Sequence, residues 1–240
     1  MNTNEQLVEL YRTINIFDIV DEYNKNLEDE SDITVYPLLL KSFEEYDTAE
    51  VKIMIFGKET DGWGGYYGSG ISVEEITNEY EKFFISRYCY TYGGQFWNGV
   101  KYFINLLKKK NDGKKICYLW NNIVKMGYNK IGFPYRFYDK IVKPHLNRII
   151  PEEIKILKPD YILFFTGPDS QNGPYDSVLN NIFDTPERGM VEGFRERELC
   201  EIIIPDVKKA FRTYHPNYLY RNDIDKFYNK ITEEITKDIM

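Results

Sequence analysis

The residues best placed for acid–base chemistry lie in the short stretch Gly57-Lys-Glu-Thr-Asp61, directly after an apolar run. That run, residues 51 to 56, is too short for a typical helix and stops at a glycine, which predicts a strand buried on both faces. The stretch after it then falls at the carboxyl edge of a sheet, where open α/β sheets bind ligands. Glu59 and Asp61 are therefore candidate catalytic carboxylates, and a solvated turn is the alternative interpretation of this loop taken alone.

Two further polar motifs also follow apolar runs. Asn121 and Asn122 come after a predicted second strand at residues 116 to 120, and His215 follows a strand candidate at residues 210 to 214. Loops at the carboxyl ends of parallel strands can converge on one crevice. We therefore expect Glu59, Asn122 and His215 to face the same crevice.

The elements that must position these residues alternate between strands and helices. A third buried strand is predicted at residues 161 to 165, and amphipathic patterns predict helices at residues 4 to 24, 38 to 43 and 96 to 110. Ser72-Val-Glu-Glu75 is a capping box that predicts a further helix start. This alternation predicts an α/β fold, a three-layer α/β/α sandwich with a mostly parallel central sheet. We expect one domain over 1–240, with N-terminal helices in 1–48 and the core in 50–225.

Composition restricts the class of protein. The formal net charge of -7 argues against a protein that coats nucleic acid nonspecifically through many phosphate contacts. Three scattered cysteines and two histidines indicate no disulfide framework, no metal and no cofactor. No segment has the ~18 consecutive apolar residues of a membrane helix, and the N-terminus lacks a signal-peptide pattern. We expect a cytoplasmic monomer that binds no membrane.

Four motifs together resemble the uracil-DNA glycosylase superfamily, in order and in spacing, over roughly residues 50 to 225. They are Gly57-Lys-Glu-Thr-Asp61, Gly94-Gln-Phe-Trp-Asn-Gly99, Asn122-Ile-Val-Lys125 and Tyr214-His-Pro-Asn-Tyr-Leu-Tyr-Arg221. The last is similar to the His-Pro-Ser-x-Leu-Leu-Arg motif of the bacterial and archaeal branch. The chain departs from that branch in having no four-cysteine iron–sulfur set, in carrying Asn217 at the Ser position, and in a first loop that fits no branch cleanly.

The resemblance assigns a role to each motif. It implies that Gly57, Phe96 and Asn122 bind the base, Phe96 by stacking and Asn122 by pairing its amide with a pyrimidine edge. It implies that His215 and one carboxylate, Glu59 in preference to Asp61, act in catalysis. Contacts to DNA are expected from the end of the last motif, that is, from Tyr218, Leu219 and Arg221. Without the resemblance, Phe96 reads equally well as a core residue and Asn121 or Asn122 as a helix cap.

The function that the resemblance implies is hydrolysis of the N-glycosidic bond of a flipped-out uracil or modified pyrimidine in DNA. Some members of the superfamily act on modified bases in foreign DNA, and the unusual loop of residues 63 to 68, including Tyr66 and Tyr67, could widen the pocket for such a base. No lysine is clearly positioned as a Schiff-base nucleophile, so we expect a monofunctional enzyme. The alternatives are a non-catalytic module that binds nucleic acid or protein, and a hydrolase of free nucleosides.

Overall fold

The structure, a computed structural model, describes residues 1–27, 33–65, 68, 70–128 and 132–239. Its strands form one six-stranded sheet in the order β2-β1-β3-β6-β5-β4. They are β1 Val51–Glu59, β2 Ile116–Val124, β3 Tyr161–Phe164, β4 Arg188–Met190, β5 Leu199–Ile202 and β6 Lys209–Thr213. The pairs β2–β1, β1–β3 and β3–β6 are parallel, whereas β5 and β4 continue the sheet as antiparallel strands. An α/β fold with a mostly parallel sheet is confirmed.

Helices flank this sheet. They are α1 Thr3–Ile14, α2 Ile16–Lys25, α3 Glu44–Asp47, α4 Val73–Ile85, α5 Tyr88–Thr91, α6 Gly94–Lys110, α7 Tyr135–Phe137, a π-helical segment Tyr138–Leu146, α8 Ile149–Leu157, α9 Tyr175–Ile182, α10 Pro216–Leu219 and α11 Ile224–Ile239. The predicted capping box is present, because Ser72 accepts from the Glu75 amide and the Glu75 side chain accepts from the Ser72 amide. Within the described ranges, no helix has the length and apolar character needed to cross a membrane.

Two predictions for the N-terminal region were wrong in detail. The single helix expected over residues 4 to 24 is interrupted at Asn15, which has φ 51° in the left-handed region that asparagine tolerates. The helix expected over residues 38 to 43 is absent, since this segment has no regular secondary structure. Its first three residues, Leu38, Leu39 and Leu40, are fully buried. Its backbone instead bonds neighbouring elements, with Leu38 N donating to Lys125 O at 2.7 Å and Leu40 N donating to the Tyr11 hydroxyl at 2.9 Å.

Strands β1 and β2 are longer than predicted, and this changes where the candidate residues sit. The parallel ladder continues past the apolar runs, pairing Phe56 with Asn121, Gly57 with Asn122 and Glu59 with Val124. Glu59 and both asparagines therefore lie inside strands, and neither asparagine caps a helix. Backbone hydrogen bonds of the ladder hold these positions more firmly than a loop would.

A buried polar network lies beneath the end of β2. Asn121 and Asn122 point to opposite faces of the strand, as neighbours do, and Asn121 donates to Glu153 of α8 at 2.9 Å. Lys125 also reaches Glu153 at 2.9 Å and Asn121 Oδ1 at 2.8 Å, and both charged side chains are 0% exposed. The Tyr11 hydroxyl completes the set by donating to Glu153 at 2.7 Å. A buried ion pair of this kind persists because each charge compensates the other where solvent cannot reach either one.

Removing the cation of this network should strongly destabilise the fold. Lys125→Met leaves the Glu153 carboxylate buried without its counter-charge, which costs about 3–5 kcal/mol of unfolding free energy. Urea unfolding followed by circular dichroism at neutral pH measures the change. The matched control is Lys155→Met on the same helix as Glu153, because Lys155 pairs with Glu152 at the surface and should change stability by less than about 1 kcal/mol. Equal effects of the two substitutions would contradict a buried, mutually dependent pair.

Candidate active site

Gly57 and Asn122 lie opposite each other in the pairing of β1 with the edge strand β2. A Cβ atom at residue 57 would lie 2.4 Å from Asn122 Oδ1 and 3.2 Å from the ring of Phe96. Only glycine fits such a gap without displacing a neighbour. The structure thus brings together Gly57, Phe96 and Asn122, the three residues expected to bind a base.

The Asn122 amide presents one free group. Its Oδ1 accepts from the Trp120 indole Nε1 at 3.0 Å, and because an indole N–H can only donate, this contact fixes the orientation of the amide. Asn122 Nδ2 is buried and has no hydrogen-bond partner among the described residues. An unsatisfied buried donor costs roughly 1–3 kcal/mol. Among the described residues, the amide nitrogen is therefore the group of Asn122 that is left to bind a ligand, because its oxygen already accepts a hydrogen bond.

Phe96 and His215 form the aromatic side of the site. Phe96 lies in the first turn of α6 and is half-buried. Its ring stacks against the imidazole of His215, with centroids 5.7 Å apart and planes 27° apart. The second and the last of the four motifs therefore meet at this aromatic pair.

His215 is held in one protonation state by its surroundings. It is the N-cap residue of α10, where Nδ1 accepts from the Asn217 amide at 3.2 Å. Burial, and after it the nearby charge of Lys58, lowers the pKa of His215 to about 4. A neutral imidazole whose Nδ1 accepts must carry its proton on Nε2. His215 is thus a neutral hydrogen-bond donor at pH 7. Asn217, at the position where the related motif has Ser, contributes through its backbone.

Glu59 is bound by a tyrosine that the sequence did not indicate. The Tyr175 hydroxyl, at the start of α9, donates to Glu59 Oε2 at 2.6 Å. Burial raises the pKa of Glu59, and the hydrogen bond from Tyr175 and the charge of Lys58 oppose that shift. A carboxylate with a raised pKa is a better proton acceptor than an exposed one. Tyr175 was missed because nothing in its local sequence marks it, and only the packing of α9 brings it to the end of β1.

Lys58, between Gly57 and Glu59, was also missed. Its Nζ lies 4.6 Å from the centroid of the Tyr175 ring. Burial lowers the pKa of Lys58, although the charge of Glu59 opposes the shift. None of the salt bridges of the described residues includes Lys58. The residue is therefore a half-buried amine without a carboxylate partner, next to the candidate catalytic groups.

The loop after β1 contains an exposed acid and a tryptophan that packs on β2. Asp61 is exposed. Trp63 packs edge-on against Trp120 with ring centroids 5.4 Å apart, and its Nε1 is buried with no partner in the part of the chain that the structure describes. Tyr66 and Tyr67, which we expected to shape a wider pocket, lie outside the described residues.

The three residues at the end of the last motif differ in their exposure to solvent. Tyr218 is 41% exposed and packs on Tyr214 with centroids 4.2 Å apart. Arg221 is exposed and its Nε donates to Asn217 O at 3.1 Å. Leu219, in contrast, is 0% exposed. Leu219 is a core residue here, since α10 turns its side chain inward, and the expectation that it contacts DNA does not fit this position.

No protein-family model matches this chain, and comparison with curated proteins gives no significant match. The interpretation of the site consequently depends on its residues and their geometry.

The shifted pKa of His215 predicts a pH dependence of stability. Its pKa is about 4 in the folded chain and about 6.5 in an unfolded one. Between these values the unfolded chain binds the extra proton, so this residue makes stability fall as pH falls from about 6.5 to about 4. His215→Asn keeps a capping oxygen but cannot titrate. We expect the loss of urea stability over this window to be smaller in the variant than in the native chain. Equal losses of stability in the two proteins would contradict a neutral His215. Glu59, whose pKa is raised, contributes a pH dependence of the opposite sign, and this contribution is the same in both proteins.

Proposed function

We propose that this protein is a DNA glycosylase that hydrolyses the N-glycosidic bond of a flipped-out uracil or modified pyrimidine. The observation that carries the proposal is the buried Asn122 Nδ2 beside Gly57 and Phe96, which has no hydrogen-bond partner among the residues that the structure describes. The finer fold assignment, a three-layer sandwich similar to uracil-DNA glycosylases, belongs to the same proposal and is supported by the mostly parallel sheet that carries the site.

Base recognition would use the free donor and the aromatic ring. A base must leave the stack to reach such a site, at a cost of a few kcal/mol. Stacking on Phe96 returns roughly 1–3 kcal/mol. Asn122 Nδ2 would donate to O4 of uracil, an acceptor that cytosine replaces with an amino donor. A neutral amide donor therefore favours uracil-type bases over cytosine. Trp63 packs on Trp120, and its Nε1 has no partner among the described residues, so it would suit bases whose substituent carries a hydrogen-bond acceptor.

The chemistry would be divided between the two ends of the site. As the bond breaks, positive charge develops on the sugar and negative charge on the leaving base. The Glu59 carboxylate would stabilise the sugar cation and orient the attacking water, with Tyr175 fixing its position. His215 Nε2–H would donate to the anionic base, and a neutral donor fits this task because it does not need to release its proton.

The negative charge of the whole chain is compatible with this proposal, because few phosphates would be contacted. Tyr218 and Arg221 are exposed beside His215, where Arg221 could bind a phosphate and fix the register of the DNA. Binding of this kind is weakened by salt in proportion to the number of phosphates neutralised. A hydrolase of free nucleosides would instead turn over substrate without DNA.

An excision panel tests the proposal and its base preference together. Oligonucleotides carrying uracil, a thymine mismatch, modified pyrimidines or cytosine are incubated with the protein, and abasic sites are detected by alkaline cleavage. We expect excision of uracil or a modified pyrimidine by the native chain. Asn122→Asp should reduce uracil excision and raise cleavage at cytosine, since a carboxylate accepts from the cytosine amino group. Salt-dependent DNA binding with no excision of any base would favour the binding module.

The catalytic roles predict losses in the chemical step. In single-turnover reactions, His215→Ala should slow excision by ~10²–10³-fold, by analogy with donors to developing anions, and Glu59→Gln should slow it by a similar or larger factor. DNA binding should change less, because both groups act on charge that grows toward the transition state. Asp61→Asn is the matched control. A large loss for Asp61→Asn with none for Glu59→Gln would move the carboxylate role to Asp61.

A further inference from the structure

We propose that Lys58 gives this site a second activity, cleavage of the DNA strand at an abasic site through a Schiff base between its amine and the sugar aldehyde. The inference depends on the proposed function in one respect only, that the site receives a deoxyribose. It departs from the expectation of a monofunctional enzyme, because the first motif contains Lys58 but its sequence did not indicate a nucleophile.

The position of Lys58 is the first support. Lys58 and Glu59 are neighbours in β1, where successive side chains point to opposite faces, yet Lys58 contacts the same tyrosine as Glu59. Its Nζ lies 4.6 Å from the centroid of the Tyr175 ring, and the Tyr175 hydroxyl donates to the Glu59 carboxylate. The charge of Lys58 is close enough to His215 to lower the pKa of that residue. A sugar held between Glu59 and His215 for loss of its base would therefore have its C1′ in the neighbourhood of the Lys58 amine.

The state of the amine is the second support. Lysines of buried sites are usually held by carboxylates, as Lys125 is by Glu153. Lys58 has no carboxylate within salt-bridge distance in the ranges that the structure describes, and its Nζ lies over an aromatic ring instead. Burial lowers the pKa of the Lys58 amine, although the charge of Glu59 opposes this shift. A lower pKa increases the uncharged fraction of the amine, and only the uncharged form attacks a carbonyl.

The reaction balances without any further reagent. After the base has left, the ring-opened sugar carries an aldehyde at C1′. The Lys58 amine adds to it and water leaves, which forms the imine. A carboxylate, Glu59, removes a proton from C2′, and the electron pair expels the phosphate oxygen from C3′. Water then hydrolyses the unsaturated imine and releases Lys58.

The test uses DNA in which the abasic site is already present, so that it does not require base excision. The full chain is incubated with this oligonucleotide and sodium borohydride, which reduces an imine to a stable amine. Denaturing gels detect the covalent adduct, and peptide mass spectrometry locates it. We expect an adduct on Lys58 and, without borohydride, a nicked strand. Lys58→Arg should lose both while it retains the positive charge and DNA binding, because a guanidinium stays protonated.

Lys52→Arg is the matched control, since Lys52 lies at the other end of the same strand and also packs over a tyrosine ring, at 5.5 Å. It should form the adduct and nick as the native chain does. An adduct mapped to another amine, unchanged trapping in Lys58→Arg, or no adduct at all would overturn the inference. Excision of bases without trapping would remove only the lyase step, whereas trapping without excision of any base would remove the proposed glycosylase and leave a lyase.

Discussion

The parallel register between β1 and β2 is the constraint on which the site depends. It places Gly57 opposite Asn122 and extends the ladder to Glu59. A shift of one residue would turn Asn122 to the other face of the sheet and exchange it with Asn121. It would also put a side chain where only glycine fits beside Asn122 Oδ1. The positions of the donor, the carboxylate and the lysine therefore follow from one pairing of strands.

The polar side chains on the two faces of β2 differ in how completely they are hydrogen-bonded. On one face, Asn121, Lys125 and Glu153 satisfy one another. On the other face, the Asn122 oxygen accepts a hydrogen bond, whereas its nitrogen has no partner among the described residues. An unsatisfied buried donor lowers stability and calls for an explanation, and a ligand that accepts from Asn122 Nδ2 is the explanation that the proposed function supplies.

Much of the fold and part of the site could be predicted from the sequence. Apolar runs located β1, β2 and β3, and the order of polar motifs after them indicated which residues would meet. The ends of β1 and β2 were missed because Asn121 and Asn122 look like loop residues, although ladder partners override that preference. Residues 38 to 43 look helical, but backbone bonds to Lys125 and Tyr11 take the place of helical ones.

Residues whose role depends on distant packing could not be predicted. Tyr175 reaches Glu59 across 116 positions of sequence, and the packing of Lys58 against the Tyr175 ring likewise depends on the position of α9. Leu219 was expected to contact DNA because of its position in the last motif, yet its side chain is buried in α10. Burial of one residue in a short helix depends on the direction in which the helix packs, and a motif does not specify this direction.

The most direct measurement observes the Asn122 side-chain amide during DNA binding. A deoxyuridine with fluorine at C2′ resists bond cleavage, because fluorine destabilises the sugar cation, so it holds the bound state. Proton–nitrogen spectra of the protein, with Asn122→Ala to assign the signal, would be recorded with an oligonucleotide carrying this nucleotide and with its unmodified counterpart. The account predicts that the signals of the Asn122 Nδ2 protons shift strongly when the fluorinated oligonucleotide binds and do not shift with its unmodified counterpart. Binding that leaves the Asn122 amide unchanged while other residues shift would contradict it.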